Sequence, residues 1–201
     1  IIVFLLLISG CKNIVYEDSK VVQTIDNLDM NIYSNEGEKI YSIKSPNSSY
    51  DKDKLTFNLK ETTIHLFKDK QVYYIITSDK SKLSNQNRLL ELTGNVQLKT
   101  ILKDDDIIYS NKLIWNIESS TYTLLGNVKY ENKSIFLSSN KAIINNQDIV
   151  EFYNPVEYII KGDNNNNRIY EVKSENAFYN INTKAVSFKS KEKKVRSKLY
   201  F

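Results

Sequence analysis

The chain has 201 residues, with 28 Lys and Arg against 24 Asp and Glu, for a formal charge of +4. Five Gly and two Pro exclude collagen-like and Pro/Gly-rich disordered chains, and the mild positive charge falls short of the dense basic footprint of a nucleic-acid binder, so no nucleic-acid partner is expected. One His (His65) and one Cys (Cys11) are too few for a Cys/His zinc site, allow no internal disulfide and would force any Ser-His-Asp triad onto His65; no metal, cofactor or catalytic residue is expected.

Residues Ile1 to Ile8 form an unbroken apolar run, followed by Ser9, Gly10 and Cys11. The run is too short to span a bilayer and has the size of a signal-peptide apolar region. Leu7-Ile8-Ser9-Gly10-Cys11 resembles a bacterial lipobox, in which small residues precede a Cys that is lipidated and becomes the mature N-terminus. Residues 1–11 are therefore read as a truncated lipoprotein signal ending at a lipidated Cys11. Residues 12–27 are polar without apolar periodicity and read as a tether. The domain is expected over residues 28–197, with a tail at 198–201.

From about Met30 onward the apolar period is two, the signature of strands with one buried face. Leu90, Leu92, Gly94, Val96 and Leu98 alternate with Glu91, Thr93, Asn95 and Gln97, and Tyr122, Leu124, Gly126, Val128 and Tyr130 repeat the pattern. Val150, Phe152, Val156, Tyr158 and Ile160 follow it, interrupted at Asn154-Pro155. Fourteen Tyr and eight Phe favour strands, and only three alanines (Ala142, Ala177, Ala185) argue against long helices.

The strands recur in a longer unit. A Ser closes one strand of each unit, at Ser45, Ser78, Ser110, Ser139 and Ser174, at intervals of 33, 32, 29 and 35 residues. About sixteen residues after three of these serines come Gly94-Asn95-Val96, Gly126-Asn127-Val128 and Asn154-Pro155-Val156. A Gly inside a strand pattern marks a bulge or bend, so a kink is expected there. Polar turns lie between paired strands at Asn85-Gln86-Asn87, Glu118-Ser119-Ser120, Asn145-Asn146-Gln147 and Asn180-Ile181-Asn182. Five units predict about ten strands, with Leu28 to Ser34 adding one. No unit can bury its apolar face alone, so the units must stack into one continuous core with two facing sheets.

The Ser-centred strand pairs with Leu-x-Leu-x-Gly-Asn-Val resemble the LptC/LptA (OstA-type) family of lipopolysaccharide-transport proteins. Tyr41-Ser42-Ile43-Lys44-Ser45, Ile76-Thr77-Ser78-Asp79-Lys80, Leu113-Ile114-Trp115-Asn116 and Ala177-Phe178-Tyr179-Asn180 carry the resemblance, which runs from Asp29 to Arg196. It implies an all-β, open β-jelly roll with a hydrophobic groove between facing sheets. It also implies a periplasmic protein that is not an enzyme, anchored here to the inner membrane through Cys11. Such a protein takes lipopolysaccharide from an LptB/LptF/LptG-type ABC transporter and passes it to an LptA-like partner. The alternative is a bridging adaptor lipoprotein that carries no lipid itself.

Each acyl chain of a dozen carbons costs on the order of 10 kcal/mol to expose to water, so a carrier must offer continuous apolar walls. The inward parity selects Phe57, Leu59, Ile64, Ile76, Leu90, Leu92, Val96, Leu98, Trp115, Leu124, Val128, Tyr130, Phe152, Val156 and Tyr158 as groove residues. Partner-pairing edges are expected at the first strand, around Ile32 and Tyr41, and at the last, around Val186 and Phe188. Asp104-Asp105-Asp106 is read as a solvated turn, and His65 as a polar-face strand residue. Lys189 to Lys198 is read as a basic strand end or frayed tail.

Overall fold

The computed structural model describes residues 22–84, 86, 88–101, 106–145, 149–162 and 167–200. The apolar run and Cys11 lie outside the described residues. Twelve strands form one sheet: β1 (Val22–Tyr33), β2 (Lys39–Asp51), β3 (Thr56–Lys68), β4 (Gln71–Ser84), β5 (Leu89–Thr100), β6 (Ile107–Asn116), β7 (Thr121–Glu131), β8 (Ile135–Ile144), β9 (Ile149–Lys161), β10 (Arg168–Asn180), β11 (Val186–Lys189) and β12 (Arg196–Leu199). Strands β1 to β11 are hydrogen-bonded in sequence order, and every pairing is antiparallel. β11 and β12 both pair with β10, on its second and first halves respectively.

The two facing layers expected from the period-two pattern are two halves of the same strands rather than two separate sheets. Register shifts fall near mid-strand, between Thr77 and Lys80, Thr93 and Val96, Tyr109 and Lys112, Leu125 and Val128, and Ser138 and Lys141. Bulges bend a strand and increase its twist. A row of them across neighbouring strands folds the sheet along one line into two leaves. The first leaf holds the β2 half Lys39–Lys44 and its neighbours, and the second holds the β2 half Asn47–Asp51 and its neighbours. Contacts between non-adjacent strands show that the leaves face each other. Tyr41 on β2 meets Trp115 on β6 edge-on at 4.9 Å, and Tyr158 on β9 meets Phe188 on β11 at 5.4 Å.

The bends are of two chemical kinds. On β2, β4, β6, β8 and β10 the repeat serine points inward, and its Oγ donates to the carbonyl two residues on. Ser45 reaches Asn47 (2.8 Å), Ser78 reaches Lys80 (3.2 Å), Ser110 reaches Lys112 (3.1 Å), Ser139 reaches Lys141 (2.9 Å) and Ser174 reaches Asn176 (2.9 Å). A hydroxyl satisfying its own backbone offers an alternative to the ladder, which is what a bulge requires. The extra residue also flips the parity. On β4 the buried set runs Tyr74, Ile76, Ser78 and then Ser81, Leu83.

On β5 and β7 the bend is Gly-Asn, with both residues at positive φ: Gly94 +77° and Asn95 +44°, Gly126 +73° and Asn127 +49°. Parity is kept, so Leu90, Leu92, Val96 and Leu98 are all buried. Glycine is needed for space as well as for φ. A Cβ at Gly94 would lie 2.5 Å from Asp79 Oδ2, and one at Gly126 2.9 Å from Asn111 Nδ2. Asp79 and Asn111 each follow a repeat serine, so the two kinds of bend interlock on adjacent strands.

Three boundaries differ from the sequence reading. Residues Val22 to Asn27, assigned to the tether, belong to β1 and pair from Val22↔Asp51 onward; with few apolar residues to bury, an edge half-strand shows no periodicity. Arg196–Leu199, spread over the domain end and the tail, form β12 against Tyr170–Lys173. Tyr41 is not on an edge. It sits on β2 with Ile32 on one side and Leu66 on the other, and the outer strand is β1. Ile32 lies on that outer strand, and Val186 and Phe188 lie on β11 at the opposite end. His65 is outward and half-buried, and burial, then the nearby Lys44 and Lys39, hold its pKa below the ordinary value.

Candidate functional site: the seam between the two leaves

All fifteen residues selected for the inner wall lie on the inward parity. On the first leaf are Ile64, Ile76, Val96, Leu98, Val128, Tyr130, Val156 and Tyr158; on the second are Leu59, Leu90, Leu92, Trp115, Leu124 and Phe152, all buried, with Phe57 half-buried against them. Most are packed against one another as a continuous core. Burying a large apolar side chain contributes roughly 1.5–3 kcal/mol, so these walls hold the leaves together.

The seam along the free ends of the strands is open in one place and closed in another. The open place is a cavity of ≈ 640 Å³ between the β2–β4 ends of the first leaf and the β6–β8 ends of the second. Its wall includes Tyr41, Leu66, Tyr74, Trp115, Tyr122 and Ile144. Trp115 stacks on Tyr122 with ring centroids 5.4 Å apart. The buried Trp115 Nε1 has no hydrogen-bond partner among the described residues. Burial raises the pKa of both Tyr41 and Tyr122, keeping the phenols neutral at the mouth.

Two lysines frame this mouth. Lys68 lines the cavity with its ammonium 5.2 Å from the Tyr73 ring, and Lys39 stands 4.8 Å over the ring of Phe67. The arrangement is apolar and aromatic inside, cationic outside.

The closed place is a polar latch. Tyr130 of the first leaf and Tyr179 of the second meet through their hydroxyls at 2.5 Å. Asn132 Nδ2 donates to the Tyr130 hydroxyl (2.8 Å) and to Asp106 Oδ1 (3.2 Å), and Lys184 pairs with Asp106 Oδ2. Asp106 is buried, at 2% exposure, so the solvated turn expected there does not extend to it. The reason is the Lys184 ammonium, brought 78 residues along the chain by the turn after β10. Burial pulls the Lys184 pKa down, but Asp106 and Tyr179 outweigh it and hold it above the ordinary value. Asp104 and Asp105 lie outside the described residues.

Of the fifteen residues selected for the groove, only Trp115 lines the mouth cavity; Ile32 and Tyr41, both expected at a pairing edge, line it as well. The sequence reading places Tyr122 on a strand without placing it in the groove, and does not single out Leu66, Tyr74 and Ile144. Each of these six lies close to a turn at a strand end. Inward parity next to a predicted turn is the signal that would have marked them.

Residues 8–133 match the family model described as lipopolysaccharide-assembly, LptC-related. The chain belongs to that family. The match spans more than half of the chain and covers the first six strands, β7 and the mouth up to Trp115 and Tyr122. A role in lipopolysaccharide transport follows from that membership, in a family of transport components rather than enzymes. Among solved structures the chain is similar to LptH of Pseudomonas aeruginosa, the LptA-homologous periplasmic component of the lipopolysaccharide transport device. That similarity has a TM-score of 0.43 and 8% identity, covering 52% of this chain and 75% of that one. No curated protein matches.

Proposed function

We propose that this LptC-family chain is a non-enzymatic periplasmic carrier held at the inner membrane by a lipidated Cys11. It receives lipopolysaccharide from an LptB/LptF/LptG-type ABC transporter and hands it to an LptA-like partner. The observation that carries the reading is the mouth of the seam: an aromatic and aliphatic cavity between the leaves, with Lys39 and Lys68 at its rim. An amphiphile with acyl chains and anionic head groups matches both parts. Cavities of this size lie within the usual range for small-molecule sites. The rest of the inner wall, from Leu98 and Ile76 to Val128, continues the same apolar surface and would accept a chain if the leaves part.

The outer strands support the hand-off. Among the described residues β1 has a strand on one side only, and β11 and β12 cap β10 with only four residues each. A long open edge such as β1 accepts a further strand from another chain, whereas edges as short as β11 and β12 resist it.

The test is photocrosslinking in cells from position 115, with Trp115 replaced by a photoreactive aromatic amino acid. A lipopolysaccharide adduct that requires ATP-driven extraction is expected. Protein adducts without lipid, together with crosslinks from Val186, would instead establish a bridging adaptor that carries no lipid. In the same cells Cys11→Ala should release the chain from membranes.

A further inference from the structure

A second concave site lies on the outside of the second leaf, away from the seam. It is a cavity of ≈ 600 Å³ over β1 to β5, lined by the outward side chains of Asn58, Lys60, Lys80, Lys82, Glu91 and Thr93 and reached by Thr24 of β1. Lys60 and Lys80 stand directly opposite one another on paired strands, and Lys82 is the next outward residue, opposite Asn58 on β3 and Glu91 on β5. All three are exposed. Like charges placed directly opposite destabilise a sheet. The acidic side chains beside them are already engaged: Glu91 is held by Lys112 at 2.6 Å, and Asp79 accepts from Asn95 Nδ2 at 3.0 Å. Folding alone is served better by a neutral or acidic residue at position 60 or 80.

A further basic surface, at β10 to β12, is interleaved with acids. There Lys173 bridges Glu157 and Glu171, and Arg168 reaches the same two acids. Glu175 accepts the backbone N–H groups of Lys191, Glu192 and Lys193, which places a carboxylate within that basic segment.

We propose that the Lys60–Lys80–Lys82 face docks on the surface of an anionic phospholipid bilayer and sets the orientation of the roll against it. Charge is the first argument. The second is position: the chain enters β1 at Val22, beside this cavity, eleven residues after Cys11. Eleven extended residues span at most about 40 Å, so a Cys11 held at a bilayer keeps this face within reach of the head groups. The lipid anchor sets the distance from the bilayer, and the basic patch adds an electrostatic contact that selects which face meets it. The orientation rests on the membrane-anchor reading above; the affinity of the face does not.

The test uses the full chain carrying Cys11→Ala, so that no acyl anchor contributes. Co-sedimentation is measured at 50 mM NaCl with vesicles of 30% phosphatidylglycerol in phosphatidylcholine and with pure phosphatidylcholine. A preference for the anionic vesicles is expected. Each lysine near such a surface is worth about 1 kcal/mol, so the triple variant Lys60→Gln, Lys80→Gln, Lys82→Gln should lose roughly a hundredfold in partitioning. Because it removes the opposed pair, that variant should unfold at the same or a higher denaturant concentration, which excludes misfolding as the cause. A control triple, Lys193→Gln, Lys194→Gln, Lys198→Gln, should stay within about threefold of the parent. Equal binding to both vesicle types overturns the proposal, as does undiminished binding by the β3–β4 triple or an equal loss in the control. Release of the Cys11→Ala chain from membranes in cells bears on the anchor alone, so the two readings fail separately.

Discussion

Replacing Gly94 by Ala tests whether the bend between the leaves is built as described. The backbone at Gly94 has φ +77°, and an L side chain there costs roughly 1–2 kcal/mol. The new Cβ would also lie 2.5 Å from Asp79 Oδ2, 3.0 Å from its Cβ and 3.1 Å from its Cγ. Overpacking of that kind adds about 1–3 kcal/mol, so Gly94→Ala should destabilise by about 2–5 kcal/mol in all. At about 2–4 °C per kcal/mol for a chain of this size, the midpoint falls by roughly 10 °C. Asp79→Ala alone loses only an exposed hydrogen bond from Asn95 and should cost less than about 1 kcal/mol. In the double variant two of the three close contacts vanish, so the cycle should show a favourable coupling of about 1 kcal/mol or more. The only Trp, Trp115, lies in the seam and reports urea unfolding by its fluorescence. A Gly94→Ala variant within about 0.5 kcal/mol of the parent, or losses that simply add, would refute the interlocked bend.

Ser45→Ala should cost about 1–3 kcal/mol in the same urea assay, because its buried Oγ also accepts from Lys60 N (3.1 Å) and lies 2.6 Å from the Lys60 carbonyl. Lys184→Met leaves Asp106 buried without its cation and should destabilise by about 3 kcal/mol, whereas Asp106→Asn should cost less; equal losses would show that the pair is not what closes the seam there. Glu175 has its pKa lowered by the backbone N–H groups of Lys191 and then Lys193. Its contribution is therefore present above the unfolded value of about 4.3 and is lost as pH falls through the lower folded value. Amide hydrogen exchange at Lys191 and Lys193 should accelerate on acidification below that point, after correction for intrinsic rates. Unchanged protection in Glu175→Gln at neutral pH would show that the carboxylate does not hold the β11–β12 link.

The repeat serines illustrate how far periodicity reaches. Their spacing was legible, and they aligned the units correctly, but nothing in a spacing says what a hydroxyl bonds to. In the fold each turns inward and closes on the carbonyl two residues later, so the alignment marks are the hinges themselves. The kink at Gly94-Asn95 and Gly126-Asn127 was legible because glycine in a strand has few other uses. The matching kinks on β4, β6 and β8 were hidden by ordinary residues.

The chain's own pattern determined that it would be all-β, that paired strands would repeat, and which side chains would face inward, because alternation along a strand is a local property of the backbone. The fold-over of one sheet, the cavity at Trp115, the latch from Asp106 to Lys184 and the opposed Lys60 and Lys80 were decided only in three dimensions. Each depends on which strand lies beside or across from which, and that is set by register and by bends whose effects accumulate from strand to strand. A local pattern carries the face of every residue; it does not carry the residue on the other side of the seam.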